Sequence, residues 1–337
     1  MNGKRWAALG IAAVIFCISV VSSVFQAFSN IGSTSGAIET LFSDTPVEKV
    51  IETGDGTRQI AILEVNGTIQ DTGEATSFFT TEGYHHRSFM KQLNYIKENP
   101  NVKGMILQIN SPGGGVVESA EIYDKIKEIM DEKEIPIYVS MGAMAASGGY
   151  YIAAPATKIF ASKETITGSI GVIMQSINYA GLAEKLGIET ITIKSGPYKD
   201  IMSSAREMTD EEKTILQEML NNSYEDFIKI IADGRKMSES DVRKLADGRI
   251  YDGRQAKKVG LIDEFGYLED VIQAMKEDFN LRSAQVVRYE DELSGLNSLF
   301  GFISNKLQGS QTQSDSKLIA ELLSKHNSPR LMYLYSE

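Results

Sequence analysis

The sequence predicts an α/β protein built on a parallel sheet, and three observations carry that expectation. Short apolar runs of strand length recur along the chain at Gln59–Val65, Val102–Ile109, Ile137–Ser140 and Lys158–Ala161. Between them lie stretches with apolar residues at helical spacing, such as Phe89, Met90, Leu93 and Ile96. Gly, Asn and Pro punctuate the joins. A continuous apolar run suits a strand buried on both faces, and a helix between successive strands is what parallel pairing requires.

Taken in order, the first element is an apolar span. Trp6 to Phe28 holds no charged residue and is long enough, at roughly 20 residues, to cross a bilayer as a helix. Lys4 and Arg5 precede it and the first charge after it is Glu39, so the N-terminus is expected in the cytoplasm and the remaining chain outside. A cleaved signal peptide is the competing reading, but its apolar region usually runs about 7 to 15 residues. Phe25-Gln26-Ala27 is a poor cleavage site and Val21-Ser22-Ser23 a weak one. Cys17 is the single cysteine and falls inside this span, which excludes an intramolecular disulfide. The bulky Phe16 before it disfavours a lipid anchor on the thiol.

Ser29 to Gly56 is rich in Ser, Thr, Gly and acidic residues and reads as a linker. Gln59–Val65 then opens the compact domain and ends at an Asn66-Gly67 turn. A helix over Ser88–Glu98 is stopped by Asn99-Pro100, and Val102–Ile109 returns as a strand. Val116–Met130 presents Ile122, Ile126 and Ile129 on one helical face. Ile137–Ser140, Lys158–Ala161 and Ile170–Ile177 supply further strands, Tyr179–Leu186 a helix and Glu189–Lys194 a strand-like run. Met208–Gly234 is expected as a long helix capped by Thr209, with Glu211 and Glu212 near its positive end, and a second capped helix begins at Ser238. Gln308–Ser316 is polar, Lys317–Lys325 is expected as a short helix, and Leu331–Tyr335 is an unusually apolar end.

Of 337 residues, 42% are hydrophobic, enough for a sizeable core, and the net charge of −11 argues against nucleic acid as a partner. No EF-hand loop, His-Glu-x-x-His or paired-cysteine pattern occurs, so neither a metal nor another cofactor is expected.

The chemistry concentrates where small residues follow a strand. Ser147 lies in the run Met141 to Pro155, between a strand and a short apolar helix. A helix N-terminus there offers unpaired N–H groups and partial positive charge to an oxyanion. Ser147 is therefore a candidate nucleophile. The three histidines are poorly placed to serve it: His326 lies in the polar tail, and His85 and His86 in a loop-like stretch. A lysine kept neutral is the other base open to a serine. Lys199, expected at a strand-to-helix junction after Gly196-Pro197, is the candidate, with Lys194 as its rival. Ser111 to Gly115 closes a strand and opens a helix, so its glycines can turn backbone N–H groups toward a ligand oxygen.

These residues resemble the bacterial signal peptide peptidase A family, the protease IV-like membrane-bound Ser-Lys proteases, in its short single-copy form. The resemblance runs from about Gln59 to Tyr289. It is carried by Asn110-Ser111-Pro112-Gly113-Gly114-Gly115, Met144 to Tyr150, Thr167 to Val172 and Gly196-Pro197-Tyr198-Lys199. It implies Ser147 as nucleophile, Lys199 as general base and acid, Gly114 as an oxyanion-hole donor and Ser169 as the hydroxyl that orients Lys199. Pro197 before Tyr198-Lys199 departs from the family pattern. The closing segment Arg249 to Gly266 resembles that of the Clp protease and crotonase relatives, which implies a repeated β-β-α superhelix after one N-terminal transmembrane helix.

The expected plan has four parts. Residues 1–28 are a cytoplasmic N-terminus and transmembrane anchor, 29–56 a linker, 57–295 an extracytoplasmic protease domain, and 296–337 a C-terminal extension with a polar linker and apolar tail. The resemblance implies a serine endopeptidase at the cell membrane that degrades remnant signal peptides and other unfolded apolar peptides. It also implies a homo-oligomeric ring or dome. Rival readings are a crotonase-type acyl-CoA enzyme and a non-catalytic membrane scaffold. A groove that takes extended apolar segments could also bind the chain's own Leu331–Tyr335 by strand addition, against the alternative of a surface or membrane-lying helix.

Overall fold

The computed structural model describes residues 46–72, 83–290 and 331–335. The apolar span 6–28, most of the expected linker, the polar stretch 308–316 and the helix expected over 317–325 lie outside the described residues. Among the described residues no helix is long and apolar enough to cross a membrane.

Three strands form the centre: β2 (Asp55–Asn66), β3 (Val102–Ser111) and β5 (Ile137–Ala146), paired parallel in the order β2-β3-β5. Their alternation sorts the core. Ala61, Leu63, Val65, Met105, Leu107, Ile109, Ile137 and Val139 pack on one face. They meet the helices α1 (His86–Glu98), α2 (Val116–Lys133), α3 (Gly148–Ala153) and α5 (Asp210–Arg235). Ile60, Ile62, Ile106 and Tyr138 point the other way, onto Val271, Ile272 and Met275 of α8 (Leu268–Asp278). Successive strand side chains point to opposite faces, so a strand covered on both sides is apolar at every position. The runs that predicted the strands are the consequence of that burial.

The sheet widens through β6 (Lys158–Ala161) and β9 (Glu264–Phe265) on one side and β10 (Ala284–Glu290) on the other. β7 (Ile166–Gly168) pairs with the end of β5 and with β8 (Ile250–Tyr251). A small helix α4 (Ala180–Lys185), then α6 (Glu239–Leu245) and α7 (Gly253–Lys258), complete the described helices. The result is a mixed α/β architecture with a largely parallel sheet.

Several expectations are corrected. The end of the expected linker forms β1 (Val47–Glu52), neighbour of β10, and β2 begins within it at Asp55. All six residues of β1 are exposed, with Lys49 paired to Glu290 at 3.1 Å. Its Val47, Val50 and Ile51 alternate irregularly with Glu48, Lys49 and Glu52 and none is buried, so the stretch shows neither an apolar run nor a period of two. Ile170–Ile177 is not a strand. Gly168 (φ 81°) and Ser169 (φ 49°) turn the chain out of β7, and among the described residues Ile173 alone of this stretch makes a bridge, to Met332. Glu189–Lys194 is not a strand either: no sheet edge among the described residues receives it, and Ile193 is 98% exposed. Lys199 consequently sits in a turn rather than at a strand-to-helix junction. His86 opens α1 instead of lying in a loop.

The capping expectations hold for α5 and α6. Thr209 Oγ1 accepts from Glu212 N–H at 3.2 Å, and Glu212 Oε2 accepts from Thr209 N–H at 2.9 Å. Ser238 Oγ accepts from Asp241 N–H at 3.1 Å. These bonds satisfy amides that a helix start leaves open. Thr209→Ala should therefore lower stability by about 1 kcal/mol, seen as a lower urea midpoint at unchanged slope.

Candidate active site

The carboxyl ends of β2, β3 and β5 lie side by side, with Asn66 opposite Asn110 and Ser111 opposite Ala145. Such an edge is where open parallel sheets hold their ligands. β5 runs directly into Ser147, and α3 begins at the next residue. The backbone at Ser147 has φ 52° and ψ −116°, outside the regions an L-residue ordinarily occupies. Such a conformation costs of order 1–3 kcal/mol and must be imposed by its surroundings. Here Ser147 N–H donates to Gly168 O at 2.8 Å, and Ser147 O accepts from Tyr151 N–H at 2.8 Å. The residue is 1% exposed, and its Oγ has no hydrogen-bond partner among the described residues.

Beside it, β4 (Gly113–Gly115) is an all-glycine strand with both edges occupied. On one edge Ile69 N–H donates to Gly113 O at 2.9 Å, and Gly115 N–H donates to Ile69 O at 2.8 Å. On the other lies β11 (Met332–Leu334), antiparallel, with Tyr333 opposite Gly114. Gly113 has φ +100°, and a Cβ there would sit 2.1 Å from Tyr333 O and 2.6 Å from Gly148 N. The Tyr333 carbonyl thus lies beside the first amide of α3, directly after Ser147.

The tail is held as a bound extended peptide would be. Met332 exchanges two backbone hydrogen bonds with Ile173, each 3.0 Å, and Tyr335 N–H donates to Pro112 O at 2.9 Å. The segment therefore lies as a strand between β4 and Ile173, which is strand addition rather than a helix on the surface. Tyr333 is 1% exposed. Its ring stacks on Tyr151 at 4.8 Å and meets Phe227 at 4.8 Å, and its hydroxyl donates to Ser223 O at 2.9 Å. Burial pushes the Tyr333 and Tyr151 phenols well above their ordinary values. Sequence reasoning missed Ile69, Tyr151, Ile173, Ser223 and Phe227 as groove residues. Only the aromatic pair at 150–151, one turn after Ser147, could have signalled the pocket.

The expected site residues are not all brought together. Ser169 follows Gly168, the acceptor for Ser147 N–H, and is fixed by donation from its own N–H to Arg249 O at 2.8 Å. Gly114 lies in the groove wall. Lys199, in contrast, is exposed and makes no hydrogen bond to the Ser147 hydroxyl. Its rival Lys194 is committed elsewhere, to Asp200 Oδ1 at 2.7 Å and Pro197 O at 2.9 Å. Arg206 ties the turn to the start of α5, reaching Asp200 Oδ1 at 2.7 Å and Glu212 Oε2 at 2.8 Å. Its guanidinium holds the Asp200 carboxyl well below its usual value and lowers that of Glu212 to about 2. Of the histidines, His86 is occupied between Tyr84 Oη and Glu121 Oε2, each at 2.6 Å. Among the described residues no acidic, His or Cys cluster could hold a metal ion.

Residues 130–282 match the family model described as Peptidase family S49. The chain is 41% identical to a protein of Enterococcus faecium provisionally named signal peptide peptidase SppA, over 99% of both sequences. It is likewise 41% identical to a provisionally named protease of Methanocaldococcus jannaschii, over 69% of this chain and 75% of that one. To Protease 4 of Salmonella typhi it is 32% identical, over 69% of this chain and 37% of the longer relative.

Two outcomes follow from this geometry. Gly113→Ala should cut peptide turnover by roughly a hundredfold, the scale of a lost oxyanion donor, because the added methyl enters the space shared by Tyr333 O and Gly148 N; steady-state assay reads it. The Asp200–Arg206–Glu212 clamp depends on carboxyls whose folded values are depressed. Its contribution is present above about pH 4 and is lost as pH falls through the lowered values. Arg206→Met should accordingly flatten the acid limb of a stability–pH curve.

Proposed function

The chain belongs to peptidase family S49 and is a serine peptidase; from that premise we propose that it is a membrane-anchored endopeptidase working through a Ser147–Lys199 dyad. The observation that carries this reading is the strained, unpartnered Ser147 beside a glycine strand that already holds an extended peptide segment. Neutral Lys199 takes the Ser147 proton as Oγ attacks the scissile carbonyl, and Gly114 N–H helps hold the oxyanion. Protonated Lys199 then gives its proton to the leaving amine, and a water activated by the same amine hydrolyses the acyl-enzyme. Ser169, beside the acceptor that fixes Ser147, orients the amine. The parallel sheet and the Arg249–Gly266 closure support the finer fold expectation, a crotonase- or Clp-like β-β-α superhelix.

Lys199 reaches Ser147 through assembly in this proposal. The segment that carries it exposes Ile177, Leu182, Leu186, Ile191 and Ile193, a run of large apolar side chains that a neighbouring copy would cover. A ring or dome of such copies would complete each dyad between subunits. Signal peptides left in the bilayer are the proposed substrates, in keeping with the name of the Enterococcus faecium relative. The apolar span 6–28 would anchor the enzyme beside them, with the catalytic domain outside. The bound tail would compete for the groove as an inhibitor or a self-processing substrate.

Four measurements test this. Ser147→Ala and Lys199→Ala should each abolish peptide cleavage with secondary structure unchanged, because the pair acts as one unit; turnover retained in either removes the dyad. A lysine accepts a proton only as the neutral amine, so kcat/KM should rise into alkaline pH; an optimum below neutrality would contradict a lysine base. Cys17 should resist water-soluble thiol reagents in intact cells, and ready labelling would take the span out of lipid. Deleting residues 327–337 should raise turnover of a small peptide several-fold; unchanged turnover together with an intact wild-type C-terminus would exclude both roles for the tail.

A further inference from the structure

Two serine hydroxyls among the described residues are buried without a hydrogen-bond partner, and only one of them is the proposed nucleophile. The other is Ser119 Oγ, on the first turns of α2, in a residue with no exposed surface. A serine at this place in a helix has an acceptor within easy reach in the carbonyl four residues back, here that of Gly115. Ser119 does not use it. Buried hydroxyls are nearly always paired, so an orphan asks for a reason.

Its position supplies one. A Cβ built on Gly148 would meet Ser119 Oγ at 2.7 Å, Gly114 N at 3.1 Å and Tyr333 O at 3.1 Å. The Ser119 hydroxyl, the Gly114 amide and the carbonyl of the bound segment therefore surround one point, next to the amide that follows Ser147. Two backbone donors line this space from β4 and α3, and Ser119 closes it from α2.

We propose that Ser119 is a catalytic residue, a side-chain donor of the oxyanion hole that stays unpaired while the carbonyl is planar and pairs with its oxygen once the carbon becomes tetrahedral. A donor engaged only at that stage lowers the barrier without tightening substrate binding. The orphan hydroxyl is then a stability cost of the folded ground state that the reaction recovers. The inference rests on Ser147 being the nucleophile, because the oxygen in question is the one its attack creates.

The test uses the full-length enzyme with Ser119→Ala and Ser119→Cys. Steady-state kinetics on a peptide substrate should show kcat lower by about tenfold to a hundredfold with KM unchanged. A peptide boronic acid, whose adduct on Ser147 is tetrahedral, should lose affinity by the same factor. A non-cleavable peptide copying Leu331–Tyr335 should bind as before, and Ser119→Ala should melt no lower than wild type. Full kcat in Ser119→Ala would overturn the proposal, as would a parallel loss of boronate affinity, peptide affinity and melting temperature, the pattern of a packing residue. Ser147→Ala is assayed alongside. If it is inactive while Ser119→Ala turns over normally, only this inference falls; if it remains active, the nucleophile reading falls and takes this one with it.

Discussion

The site depends on the backbone twist at Ser147, which a single hydrogen bond to Gly168 and the start of α3 hold in place. A strand ending in an ordinary extended residue would point its last side chain to one face of the sheet. The positive φ at Ser147 turns the chain into α3, whose first amide, that of Gly148, lies against Gly113 of β4. The restraint comes from three directions, because Gly168 belongs to β7, β7 pairs with β5, and α3 is packed in the core. Strain of this kind persists only where the surroundings over-determine it.

β4 shows how the same edge becomes a groove. Three glycines present no side chains, and Ile69 satisfies one row of their backbone groups. The remaining row is an open sheet edge, a template for any extended chain. The C-terminal segment takes it, and Tyr333 fills the aromatic pocket between Tyr151 and Phe227. Backbone pairing holds any sequence, whereas the pocket selects among side chains. The Ser223 backbone carbonyl, in the middle of α5, gives a hydroxyl-bearing ring a partner that a purely apolar pocket would lack.

The segment bearing Lys199 is organised differently from the rest. Arg206 joins Asp200 to the capping Glu212, while Ile177, Leu182, Leu186, Ile191 and Ile193 stay exposed. An isolated chain gains little by exposing so much apolar surface. The arrangement is intelligible if this surface is completed by another copy, which is also how an exposed lysine could serve a buried serine.

Much of this was legible in the residues themselves. Burial on both faces requires unbroken apolar runs, so the central strands announce themselves, and Thr209 and Ser238 mark their helix starts by side-chain chemistry that needs no tertiary partner. The order Ser-Pro-Gly-Gly-Gly, then Ala-Ser-Gly-Gly, fixes which residues can line a site, because only small residues permit such close backbone approach. Tertiary structure decided what depends on neighbours distant in sequence. The edge strand β1 is short, charged at three of its six positions and exposed throughout, so its Val47, Val50 and Ile51 form no buried run, and only its pairing beside β10 makes it a strand. The strand expected at Ile170–Ile177 yields to the turn at Gly168-Ser169, and the strand-like run Glu189–Lys194 pairs with no described strand. That the last residues lie in the groove follows from the free edge of β4 and the pocket of Tyr151 and Phe227. Local sequence names the groups that can pair; only the folded chain determines which of them are within reach.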